Sequence, residues 1–558
     1  MRTKSSAALS AAVILLLSLT RAPQAQESPL LLAMRDEMAR SMADLRMKGE
    51  PAPYYIEYEI DDIVSMRAIG RQGGIVDDVK DHSRTLRVQV RVGDYAFDSS
   101  RFVTQDRGGA GAGAGATAPL DDNYDAIRRE IWLTTDTAYK RAVSVFAKKK
   151  AAFQNRAVTD QIPDFSRETP VQIVVPPAPQ VLSDRKWVDR AKELSAVFAR
   201  DRELDSSEVW VSEAHGTSFY LNSEGFKVIT PVSTAYLRIS AEARAEDGMT
   251  VPGVYAEVEN RLDDLPPMSE LLKRAADVAN HVKARKMAPV GDEYTGPMLI
   301  ERQASAELLR QTLTPLMLAR RAPDGENPRL GQGQAQATPF LSRIGLRVLS
   351  DSFSVSDTPS LKQYDGRPVA GAYVVDDEAV PAKDVTLVEK GRLVTLLTSR
   401  TPQKNLLQSN GHGRSGSVQA GVFQVRSTQT TPASELKAKY LELLKAQSKP
   451  YGYIVRAIAA PGDVAGAGQG GPIVLDAVKV MPDGVEEPVR GLRFAGVPST
   501  AFRDILEASE ERVLHNYRVD SGTAASIIVP NLIFEELELQ RTREIVQKPP
   551  IVPPPPAS

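Results

Sequence analysis

The chain has 558 residues, five histidines (His82, His215, His281, His412 and His515) and no cysteine. That inventory bounds its metal and nucleophile chemistry. Without sulfur, thiolate catalysis, iron–sulfur clusters and sulfur-ligated zinc are closed to it. No two histidines are near enough in sequence to share a helical turn or a hairpin, so a two-histidine metal site has to be assembled by the fold. Each reads first as an ordinary core or surface histidine. His412 stands apart because glycines flank it in Asn410-Gly411-His412-Gly413-Arg414, a loop where backbone can approach a ligand closely.

The acidic groups are weaker signals. Asp376-Asp377-Glu378 offers oxygens to a hard cation, but calcium loops usually alternate their carboxylates, and three consecutive acids read more simply as a solvated strand end. Asp520-Ser521-Gly522-Thr523 matches the short signature of an aspartic protease. That chemistry needs two carboxylates sharing a proton, and one copy occurs. The glycines from Gly466 to Gly471 are not followed by Gly-Lys-Ser/Thr, so they do not make a phosphate loop. Gly413-Arg414-Ser415-Gly416-Ser417 fails the nucleophile-elbow pattern at its last position.

The elements that position these residues follow from periodicity. Leu31, Met34, Met38, Met42 and Leu45 predict a helix over 29–48, and helical spacing returns over 121–152. Two β-rich runs, 54–66 and 85–97, lie between them. Gly108 to Ala116 alternates Gly and Ala, and is expected to be a flexible loop. A Pro-rich stretch, Val174 to Gln180, marks a linker. Beyond it we expect a helix, a strand pair around Val209–Val211 and Ser218–Leu221, a turn at Asn222–Gly225, a strand over 234–243, and a helix to Met287 with Ser269 as N-cap. From Ala288 onward short strands alternate with turns, interrupted by helices over 299–320 and 432–447. In the first of these, Ile300, Ala304, Leu308, Leu309, Leu313 and Leu316 recur at helical spacing, which makes Ile300 the head of a core stripe. The fold class is α+β: N-terminal (26–180) and middle (181–287) helix-plus-sheet regions, then a β-rich C-terminal domain (288–547) and a Pro-rich tail (548–558).

Hydrophobic residues make up 42% and charged residues 25% of the chain, the values of an ordinary globular protein. Its 69 basic and 71 acidic residues leave a net charge of −2, which gives no field to concentrate a polyanion and excludes nucleic acid as an expected partner. Met1-Arg2-Thr3-Lys4, an apolar run from Ala7 to Leu19 and small residues near Ala25 have the layout of an export signal over 1–25, so a periplasmic location is expected. No segment reads as a stable membrane span.

A collinear set of motifs resembles the TldD/TldE (PmbA) metalloprotease family: Gly296 to Ser305, Gly345 to Asp351, Asp376 to Glu378, Leu387 to Leu393, Asn410 to Arg414 and Pro488 to Gly491. The middle run Tyr220 to Gly225 agrees with them. The resemblance implies that catalytic members hold zinc with a His-Glu-x-x-x-His helix and a later cysteine. Here the first histidine is replaced by Ile300 and the second by Ser305. Glu301 matches the general base. An isoleucine donates no lone pair, and there is no cysteine to complete the set. A lone glutamate supplies only on the order of 10²–10⁴-fold, and Glu301 reads more simply as a solvated residue on a first helical turn.

The resemblance therefore implies a TldE-like subunit without zinc, or a pseudoenzyme. It would bind unfolded peptides, with Glu301, Asn410, His412 and Arg414 as candidate contacts, and would pair with a TldD-like catalytic subunit or with itself. No cofactor is expected. An active metallopeptidase with atypical ligands and a non-proteolytic periplasmic binding or scaffold protein stay open.

Overall fold

The computed structural model describes residues 28–105, 113–154, 162–176, 182–183, 186–326, 338–464, 470–519 and 522–542. The expected export signal and Pro-rich tail lie outside them. So do residues 108–112 of the Gly/Ala stretch, 177–180 of the linker, 466–469 of the glycine run, and Asp520 and Ser521.

The first layer is a seven-stranded sheet. Its strands are β1 (Pro53–Arg71), β2 (Gly74–Val92), β3 (Gly113–Thr117), β4 (Gln172–Val174), β5 (Ser206–Asn222), β6 (Lys227–Arg244) and β7 (Thr250–Glu259). The order runs β3-β2-β1-β5-β6, and β6 also pairs with β7 and, in parallel, with β4. β1 pairs with β5 from Glu57↔Asn222 to Gly70↔Val209, so the N-terminal and middle regions share one sheet.

Strand alternation gives that sheet two different faces. Ile56, Tyr58 and Ile60 pack with Leu86, Val88 and Val90 under helices α1 (Pro29–Asp44) and α2 (Tyr124–Phe153). Met66, Ala68, Val209, Val211, Leu237 and Ile239 pack under α3 (Lys186–Ala196) and α4 (Met268–Met287). Alternate residues point the other way. Glu57, Glu59, Asp61 and Ile63 of β1, with Ser218 and Tyr220 of β5, face the C-terminal domain.

That domain is built on an eleven-stranded sheet. Its strands are β8 (Tyr294–Ile300), β9 (Phe353–Asp357), β10 (Val385–Glu389), β11 (Arg392–Leu393), β12 (Val422–Ser427), β13 (Gly452–Ile458), β14 (Val474–Val480), β15 (Glu486–Val489), β16 (Leu492–Gly496), β17 (Ile505–Arg518) and β18 (Ala524–Arg541). The order is β11-β10-β9-β12-β18-β8-β13-β14-β15, with β16 and β17 also pairing with β18. Helix α5 (Arg302–Thr312) contributes Leu308 and Leu309 to the larger core. Helix α6 (Ala433–Ala446) covers Leu299, Ile454 and Ile533 with Leu436, Tyr440 and Leu444.

Several expectations change. Gly113 to Ala116 is not a loop: it forms the edge strand β3, paired with β2 from Thr85↔Thr117 to Gln89↔Gly113. A ladder needs only backbone, and the small side chains of Ala114 and Ala116 pack against the first core. The expected strand pair over 209–221 is one continuous strand. Gly216 lies in its middle, and a Cβ there would stand 2.0 Å from the Asp62 carbonyl oxygen. Helix α4 starts two residues earlier than Ser269 as N-cap allows: Pro267 occupies the cap position and makes no side-chain cap bond. The helix expected over 299–320 is strand β8 followed by α5. Ile300 ends the strand, and the chain turns at Arg302, whose φ is 54°. Buried strand and buried helix read alike in a short apolar run, which hid the break.

Candidate functional site in the groove between the sheets

The open face of the seven-stranded sheet and the C-terminal domain enclose a groove of about 1780 Å³. Single small-molecule pockets span roughly 300–1,000 Å³, so this one has room for an extended chain. One wall carries Glu57, Glu59 and Asp61, which alternate along β1 and so project together. Arg87 reaches Asp61 at 2.6 Å and Glu59 Oε2 at 2.9 Å. Glu57 accepts from Tyr55 at 2.6 Å and Tyr220 at 2.9 Å. Burial pushes the Glu59 carboxyl up to about 7; the Arg87 bond opposes this, and Asp61 and Asp377 add to it.

The facing wall is the acidic turn read in the sequence. Asp376, Asp377 and Glu378 line the groove rather than forming a solvated strand end. Asp376 is buried and accepts from the amides of Gly413 at 2.8 Å, Val380 at 2.8 Å and Glu378 at 3.0 Å. Burial, then the nearby Glu378, lifts its carboxyl well above the usual carboxylate range. Glu378 accepts from the Arg400 amide at 2.6 Å, and burial raises it as well. Among the described residues no group of three or more His, Asp or Glu is placed to hold a metal ion.

Of the four candidate contacts, Arg414 alone lines the groove. Asn410 and His412 stand behind it. His412 is fully buried, with Nδ1 3.0 Å from Asn410 Oδ1 and Nε2 3.2 Å from Asp357 Oδ1. Asn410 accepts from the Thr398 amide at 2.8 Å and donates to the Leu396 carbonyl at 3.0 Å. Asp357 accepts from the amides of Gly421 and Val422 at 3.1 Å. This network anchors the short hairpin Gly413–Arg414/Ser417–Val418, from which Arg414 projects.

Glu301 is in another place. It precedes α5 and is half-buried, and Arg456 approaches it at 3.4 Å while bonding Glu486 at 3.0 Å. Ile300 lies wholly within the core, and the Ser305 hydroxyl, also buried, donates to the Pro530 carbonyl at 2.6 Å. One position offers no donor atom and the other has a committed hydroxyl, so these residues do not fit a zinc ion. Further along α5, Glu307 is fully buried between Arg310, at 2.9 Å, and His515, at 3.5 Å. Burial raises its carboxyl, but Arg310 and His515 outweigh this and hold it at about 2.

Sequence reading missed the β1 carboxylates, although Glu57-x-Glu59-x-Asp61 alternating with Ile56-x-Tyr58-x-Ile60 marks a strand with one polar face. It also missed Arg400, for which no local signal exists.

A two-sheet α+β chain enclosing an interdomain groove, with a strand-to-helix turn at Glu301, is the class of protein these features define. The chain belongs to the TldD/TldE (PmbA) family. Residues 293–541 match the PmbA/TldA metallopeptidase C-terminal domain, and 177–281 match the central domain. Three solved structures share the fold. A protein described as a DNA gyrase modulator from Thermotoga maritima is 16% identical with a TM-score of 0.58, over 91% of this chain and 100% of that one. TldE from Thermococcus kodakarensis is 15% identical with a TM-score of 0.55, over 91% and 99%. A second protein described as a DNA gyrase modulator, from Bacteroides thetaiotaomicron, is 12% identical with a TM-score of 0.57, over 91% and 98%. No curated protein matches the sequence. Among the described residues no helix is long and apolar enough to cross a membrane.

Proposed function

We propose that this chain is an exported, zinc-free, TldE-like member of its family that holds extended peptides in the interdomain groove and supports proteolysis by a zinc-bearing partner subunit. The observation that carries this reading is the state of the two histidine positions. Ile300 is inside the core and the Ser305 hydroxyl is committed to Pro530, so the general-base position, Glu301, has no metal-bound water to act on. The groove supports the peptide role. Its volume exceeds that of a single small-molecule pocket, and its lining includes Gly113, Ala114 and Gly115 of edge strand β3, an edge to which an extended peptide can add.

The test is metal analysis of natively purified protein, identification of any co-purifying chain, and hydrolysis assays on an unfolded polypeptide. Expected are less than stoichiometric zinc, no hydrolysis by the isolated chain, and hydrolysis when a TldD-like chain is added. Hydrolysis by the isolated chain that chelator abolishes would overturn the proposal.

A further inference from the structure

Among the described residues, those that line the groove and carry a buried side-chain atom without a hydrogen-bond partner include Arg414 (Nη1), Arg101 (Nε) and Thr234 (Oγ1). Two of these are obligate donors. The carboxylates of the groove are, by contrast, engaged within the protein: Asp376 by three amides, Asp377 by the Ser415 amide at 2.6 Å, Glu378 by the Arg400 amide, Glu57 by two tyrosines, and Glu59 and Asp61 by Arg87.

Arg414 is the best-placed of these donors. It is 8% exposed, Nη2 donates to the Ala524 carbonyl at 3.0 Å, and the guanidinium lies 4.4 Å from the Tyr373 ring centre. Its backbone is fixed by the Asn410–His412–Asp357 network behind it. It makes no ion pair with a described carboxylate. A buried guanidinium N–H without an acceptor costs roughly 1–3 kcal/mol or more, and a carboxylate presents the paired oxygens that a guanidinium fork accepts best. Arg518, exposed on the same wall, adds a second positive charge.

We propose that Arg414 is the anchor of a carboxylate-binding subsite in the groove, taking a carboxylate of the bound peptide while Tyr373 holds the guanidinium plane from beneath. The inference rests on the peptide-binding reading above and assigns it a charge preference. The carboxylate has two sources, the peptide C-terminus and an Asp or Glu side chain.

The test uses the full chain and three labelled peptides of one unstructured sequence, measured by fluorescence anisotropy. The first has a free C-terminus and no acidic side chain. The second is its C-terminal amide, and the third is that amide with one internal glutamate. Binding at least tenfold tighter for the first or the third than for the second is expected, and shows which source is used. Arg414→Gln should abolish the difference and Arg414→Lys keep part of it. Since the peptide comparison is made on the unmodified protein, it does not depend on a variant folding. Equal binding of all three peptides overturns this subsite and leaves the peptide-binding role standing. No binding of any peptide overturns both.

Discussion

Arg400 joins the two halves of the molecule by donating to both carboxylate oxygens of Glu224, from Nη1 to Oε2 at 2.7 Å and from Nη2 to Oε1 at 2.9 Å. Glu224 lies on the turn between β5 and β6, and Arg400 belongs to the C-terminal domain. The arginine is wholly buried, its guanidinium 3.9 Å from the Phe165 ring centre, and it also donates to the Ser166 carbonyl at 2.7 Å. Removing one partner of a buried pair strands the other charge, which costs about 3–5 kcal/mol. Arg400→Ala is therefore expected to lose that much in urea unfolding. Combining Arg400→Met with Glu224→Gln should recover part of the loss, because no charge is then left unpaired. Equal losses in the two proteins would argue against a paired role.

Glu59 makes stability depend on pH near neutrality. Its carboxyl is raised from 4.5 to about 7, so the folded protein holds a proton there that the unfolded chain has released. The favourable contribution is complete below pH 4.5 and is lost as pH rises through about 7. Glu59→Gln mimics the protonated form and leaves Arg87 paired with Asp61. Its Tm is expected to exceed that of the native protein at pH 8 and to meet it near pH 4.5, as measured by thermal unfolding across that range. Parallel curves would show that Glu59 is not the group responsible.

Glu307 has the opposite sign. Held at about 2 against 4.5 in the unfolded chain, it stabilises the fold above pH 4.5, and that contribution disappears as pH falls through about 2. The shift corresponds to something on the order of 3 kcal/mol. Glu307→Gln is expected to unfold more readily at pH 7 and to have a flatter acid limb between pH 4.5 and 2. Acid titrations followed by circular dichroism would reveal it.

The parts of this molecule legible in the sequence are those whose signal is local. The helices α1, α2 and α6 follow from apolar spacing, and the Gly-flanked Asn410–Arg414 loop from its composition, whereas its split into a buried scaffold (Asn410, His412) and one groove-facing arginine does not. Strand β1 was visible, but its pairing with β5 is not, because partners such as Glu57 and Asn222 are far apart in sequence and nothing local encodes the register. The family was legible through motif order, and the core position of Ile300 through its apolar neighbours. That Ile300 sits on a strand rather than a helix could not be read, since Met298, Leu299 and Ile300 are all buried and show no alternation. Arg400 and Glu224 meet only through the assembled fold.

Gly216 tests the shared sheet directly. A Cβ at this position would meet Asp62 O at 2.0 Å and Ile63 Cα at 2.8 Å, both on the backbone of the paired strand β1. Backbone in the middle of a sheet has nowhere to move, so Gly216→Ala is expected to cost at the upper end of the ~1–3 kcal/mol typical of overpacking, or more. Gly345→Ala makes a useful contrast: its added Cβ meets nothing within 4 Å, so its cost comes from a φ of 85° alone. Denaturation midpoints of the two variants separate the crowding from the backbone effect.

Placing histidines at Ile300 and Ser305, the positions that the family resemblance assigns to zinc ligands, tests whether the core around them accepts a metal site. Ile300→His places an imidazole where an isoleucine fills the core, and Ser305→His removes the hydroxyl bond to Pro530 while adding bulk to a fully buried site. Each imidazole needs partners for both nitrogens, and the chain has no cysteine to complete a metal site. The expected result for the double variant is a loss of several kcal/mol in chemical denaturation, in keeping with buried polar groups lacking partners, and no zinc retained through gel filtration. Tight zinc binding with stability preserved would mean that the core around Ile300 reopens at little cost. The packing of β8 against α5 would then not be what bars ligands from these two positions.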